Sequence, residues 1–136
     1  MRTLIIFLAI VILLVGLPLL HGFLVFYSQE KLATIPAVKS FFYLFTIPAW
    51  VLVAVVFVVE TYRRSFIPSR YRIGNTLMLG LSGLIAPTAG LALSPVAGDI
   101  GLPAFAGVAV LGFLVGLSGA LSFNFITGWA IEKGDA

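Results

Sequence analysis

The feature that most constrains this chain is a succession of four apolar runs, about 3–27, 40–62, 73–93 and 102–131. A helix that crosses the hydrocarbon core of a bilayer needs about 20 apolar residues, and each run reaches that length. Within lipid, only helices and closed barrels satisfy every backbone donor and acceptor. Barrel strands alternate apolar and polar residues, whereas these runs are apolar on every side, so helices are expected. The fold class that follows is an all-α integral membrane protein, a four-transmembrane-helix bundle forming a single domain over 1–136.

The remaining composition agrees. Of the residues, 61% are hydrophobic and 10% charged, with a mean hydropathy of +1.18; soluble domains sit near half apolar and a quarter charged. Met1-Arg2-Thr3 followed by Leu4 to Leu20 has the outline of a secretory signal. The apolar stretch is long for one, however, and His21, Gly22 and Phe23 stand where a small-residue cleavage site belongs, so a retained helix is expected. The fourth run would be about 43 Å long as a helix and must tilt or project beyond the hydrocarbon. Phe23, Phe26, Tyr27, Tyr62, Tyr71 and Trp129 fall near run ends, where amphipathic rings favour the interface.

Orientation is read from the loops. Tyr62 to Arg72 carries Arg63, Arg64, Arg70 and Arg72, and a short basic loop stays on the cytoplasmic side. With four spans, both termini then face inward (N-in/C-in). Arg2, the four loop arginines and Lys133 lie inside, against Lys31 and Lys39 outside. The expected location is the cytoplasmic membrane of a bacterium. On the other side, Ser28 to Lys39 spaces Leu32, Ile35 and Val38 for a short interfacial turn that Pro36 limits. The brief Ser94–Gly101 connection makes the last two helices antiparallel neighbours. Pro18, Pro48 and Pro87 lie inside spans, where each removes one backbone hydrogen bond and favours a kink.

Packing is read from small residues. In a bilayer, helices associate through close backbone approach at Gly, Ala and Ser. Gly112, Gly116, Ala120, Asn124 and Gly128 form a four-residue row, and Ser82, Ala86, Gly90 and Ser94 form another. The first row rotates about 40° per step on a 3.6-residue helix, so no single straight partner follows all of it. A second seam, Ala109, Gly112, Gly116 and Gly119, runs straighter. The third helix is the expected first partner, through Ser82, Ala86 and Gly90, and the second seam is left for another chain.

Few side chains can carry chemistry. His21 is the only histidine. It reads either as an interhelical hydrogen-bonding residue or as a cofactor ligand for haem, pigment or metal, with a quinone or proton role as a third reading. Glu60 precedes Arg64 by one turn, in the favourable order for an ion pair at the interface. The four arginines fix topology and suit anionic lipid headgroups or an acidic partner. They are too few for nucleic-acid binding. Asn124 is expected to bond to a neighbouring helix or a lipid carbonyl, and Ser82, Thr88, Ser118 and Ser122 to their own backbones.

Cysteine is absent, and the five acidic residues are spread between opposite faces. No nucleophile–base pair, paired-carboxylate site or metal site is expected, and no enzymatic activity. The cofactor, if the chain holds one, is unknown from the sequence. The function expected is that of a non-catalytic accessory subunit. It would pack into a larger respiratory, photosynthetic or transport assembly, with the bilayer and other membrane subunits as partners. A homo-oligomeric small transporter or channel, or a cofactor-holding subunit using His21, are the alternatives.

Overall fold

The computed structural model describes residues 2–63 and 70–134, with side chains over 4–32, 34–60, 74–98 and 100–126. Among the described residues, five α-helices follow one another: α1 (Arg2–Ser28), the short α2 (Glu30–Ala33), α3 (Pro36–Arg63), α4 (Arg70–Ala92) and α5 (Leu102–Gly134). A 3-10 turn, Ala97–Asp99, lies between α4 and α5. Four of these are long and apolar enough to cross a membrane, over Leu4–Ser28, Pro36–Glu60, Gly74–Ala92 and Leu102–Ile126. The chain is a helical bundle of the integral membrane class.

The helices outrun the apolar segments from which they were expected. α3 begins at Pro36 rather than near residue 40. Proline suits the first position of a helix, where its missing N–H has no intrahelical partner to lose, so Pro36 opens this helix instead of merely limiting the preceding turn. Pro18, Pro48 and Pro87 lie within continuous helices. Of the interfacial residues, Leu32 and Val38 are buried and pack into the core with Ile35.

α5 packs most extensively against α4; α1 packs on α5 and α3 on α4, and a smaller α1–α3 contact completes the circuit. The interior has two apolar layers. One joins Leu13, Leu17, Phe57, Leu79, Val115 and Phe123 with their neighbours; the other joins Val25, Phe42, Leu91, Ile100 and Val108 with theirs. Large apolar side chains also cover the outside, Phe7, Ile12, Leu52, Ile85 and Phe125 among them. In water such a surface would drive aggregation; in a bilayer it meets lipid chains.

The α4–α5 seam explains the closeness of that pair. A Cβ on Gly112 would collide with the carbonyl oxygen of Gly83, and one on Gly83 would lie 2.6 Å from the carbonyl oxygen of Gly112. A Cβ on Gly116 would lie 2.5 Å from the Leu79 carbonyl oxygen. The two backbones therefore touch directly, which only glycine permits at these positions. Pro87 contributes indirectly: it has no N–H to donate to the carbonyl four residues earlier, and that carbonyl is Gly83's, the one facing Gly112.

The small-residue expectation is corrected in two places. On α4, the glycines against α5 are Gly80 and Gly83, and Gly90 faces α3 instead. Gly90 lies against the Phe45 carbonyl and Ala49 of α3, Ser82 is half-buried, and Ala86 packs beside the first apolar layer. On α5, the second seam is shared between neighbours of the same chain: Gly112 and Gly116 face α4, and a Cβ on Gly119 would meet Leu17 and Leu13 of α1. That seam therefore does not require another chain. Ala120 is fully buried and Ala109 half-buried.

Candidate functional site

Between the two apolar layers lies the only buried imidazole. His21 sits on α1 seven residues before Ser28, about 10 Å along the helix. It is fully buried, as is Trp50 on α3. The indole Nε1–H of Trp50 donates to His21 Nδ1 at 2.9 Å. An indole nitrogen can only donate, so Nδ1 is an acceptor and carries no proton. Neutral histidine then holds its proton on Nε2, which donates to the carbonyl oxygen of Val108 on α5 at 2.9 Å. Two hydrogen bonds thus join three helices through one ring and specify its tautomer.

The packing around the ring is equally specific. Trp50 and Phe42 each meet the imidazole edge-on, both with centroids 5.6 Å away. A Cβ on Gly112 would come within 3.3 Å of His21 Cε1, and one on Gly83 within 2.5 Å of the Trp50 ring. The α4–α5 glycine contact therefore also makes room for the histidine and the indole. At the neighbouring Gly22, the ring of Tyr43 on α3 lies directly over the α1 backbone, where a Cβ would collide with the phenol.

This geometry bears on His21 as a cofactor ligand. A haem or metal takes a nitrogen lone pair. Here Nδ1 gives its lone pair to Trp50, and Nε2 carries the proton shared with Val108. In this arrangement His21 has no lone pair left for a ligand. Among the described residues no group of three or more His, Cys, Asp or Glu gathers where a metal ion would sit.

The other polar candidates lie apart from this junction. Asn124 Nδ2 donates to Thr76 Oγ1 at 3.2 Å, a second and weaker tie between α5 and α4. Thr88, expected to bond to its own helix, has a buried hydroxyl without a partner among the described residues. The contacts expected of Arg63, Arg64, Arg70 and Arg72, including the Glu60–Arg64 pair, fall outside the described side chains.

Sequence reasoning found the histidine and missed its partners. Trp50 carried a usable signal, because it stands mid-span, far from the interface where tryptophan normally keeps its N–H wet. A tryptophan at that depth needs an acceptor, and the only histidine of the chain is the natural one. Val108 carried none: its contribution is a backbone carbonyl, which every residue has.

The fold defines a polytopic helical membrane protein, and its described interior holds one imidazole hydrogen-bonded at both nitrogens. No protein-family model, curated protein or solved structure matches the chain.

Proposed function

We propose that the chain is a non-catalytic structural subunit of a larger membrane assembly, respiratory, photosynthetic or transport in kind. The observation that carries this reading is the closed bonding of His21. Among the described residues the one fully buried titratable side chain is this imidazole, and it uses both nitrogens to hold α1, α3 and α5 together. A place for a partner supports the second half of the reading. A notch of about 210 Å³ opens between α1 and α5, lined by Gly16, Ser118, Gly119 and Ser122 among larger apolar residues. Small residues on an outward face let a helix of another subunit approach closely. The reading includes an N-in/C-in orientation in a bacterial cytoplasmic membrane, with the arginine loop on anionic headgroups.

Purification from the native membrane in mild detergent tests it. Foreign subunits are expected at fixed stoichiometry, and Gly16→Leu is expected to release them while leaving the bundle folded. A Cβ at Gly16 meets only Ile12 Cγ2, at 3.8 Å, so the added side chain projects into the notch rather than the core. A partner-free homo-oligomer whose vesicles pass ions or a solute would overturn the proposal. So would a visible absorption band that disappears in His21→Ala.

A further inference from the structure

We infer that the end of the bundle opposite the arginine loop binds a zwitterionic aminophospholipid, with headgroup phosphate on Lys31 and ammonium on Glu30. The inference is independent of the subunit reading. A cleft of about 840 Å³ lies between the α1–α2 corner and the start of α5, its walls including Tyr27, Gln29, Glu30, Lys31, Ile35 and Pro103. Its depth follows from the spans beside it. The first ends at Ser28 and the fourth begins at Leu102, so the cleft lies at headgroup level.

Its chemistry is layered as a phospholipid is. Glu30 and Lys31 are exposed, and among the described residues neither takes part in an ion pair. Adjacent positions on a helix diverge by about 100°, so the two charges line one cleft without neutralising each other. A ligand bearing both signs can meet both. Below them, Leu32 is buried and Ile35 and Ala104 are half-buried, an apolar floor suited to the first carbons of acyl chains. The Gln29 side-chain amide donates to the Ala104 carbonyl at 3.3 Å and pins the corner to α5. Tyr27, three-quarters exposed and stacked on Phe23 at 5.9 Å, stands beside the cleft as an aromatic at interfacial depth. A single cation opposed by a single anion does not suit a purely anionic headgroup. A primary ammonium also offers N–H donors that a carboxylate accepts.

Native mass spectrometry of the full chain, released from nanodiscs of equimolar phosphatidylethanolamine and phosphatidylglycerol, tests this. The ethanolamine lipid is expected to be retained preferentially. Glu30→Gln and Lys31→Gln should each weaken retention about fivefold, the worth of one charge contact at a headgroup. Glu30→Lys should reverse the preference toward phosphatidylglycerol, a gain that a folding defect does not produce. Retention that follows bulk lipid composition, or that ignores all three substitutions, would overturn the proposal. Displacement by free phosphoethanolamine at equal concentration would overturn it too, by assigning the cleft to a soluble ligand.

Discussion

A single hydrogen bond between transmembrane helices contributes about 0.6 kcal/mol on average and rarely above about 1.7, because the unassembled helix also finds partners. Trp50→Phe removes one such bond and keeps most of the ring, so a loss of about 0.6–1.7 kcal/mol is expected. His21→Ala is the graver change. It leaves the Trp50 N–H without a partner in a dry interior, takes from the Val108 carbonyl the donor it has beyond its helical bond, and opens a hole, for about 2–4 kcal/mol. Thermal unfolding in detergent measures both. If the two residues act as one unit, His21→Ala costs less in the Trp50→Phe background than in the native chain; equal costs would show that they do not. At this scale the sequence exposed the residue that stands out by rarity. It concealed the partner that stands out only by depth, and the one that is a backbone carbonyl.

Between elements, the decisive feature is backbone contact along α4 and α5. Gly83→Ala and Gly112→Ala drive a methyl into the opposite carbonyl and should each destabilise by about 1–3 kcal/mol. Gly74, on the same helix α4, has nothing within 4 Å of where its Cβ would stand. Gly74→Ala should therefore be neutral or stabilise by up to about 1 kcal/mol, since alanine is the better helix former. Equal melting shifts for all three would remove the seam from the account. The α5 row was legible in its spacing, but the α4 row was not. Ser82, Ala86 and Gly90 have the more regular interval, yet the seam uses Gly80 and Gly83. A seam belongs to two helices at once. What selected it lies elsewhere in the chain: Leu117 closing over Gly80, and Trp50 over Gly83. Interval along one helix carries no information about either.

For the whole molecule, the number of spans was written in hydrophobicity and the helix ends were not. Pro36 to Lys39, ahead of the apolar run that starts near residue 40, are already helix, because backbone bonding does not stop where lipid does. The proposed orientation is directly measurable, since the chain has no cysteine and single introduced thiols report cleanly. Lys31→Cys should react with an impermeant maleimide added outside intact cells, whereas Lys133→Cys should react only after permeabilisation; the reverse pattern would invert the topology. The junction at His21 also sets an order of completion during synthesis. The imidazole and the indole are present once α1 and α3 have been made, but the Val108 carbonyl and Gly112 arrive with the last helix. Until α5 enters the membrane, the Nε2–H lacks its native acceptor, and the partly built bundle carries a polar donor in its middle. The bundle therefore holds a built-in marker of incompleteness, displayed once α1 and α3 are in place and withdrawn when α5 docks.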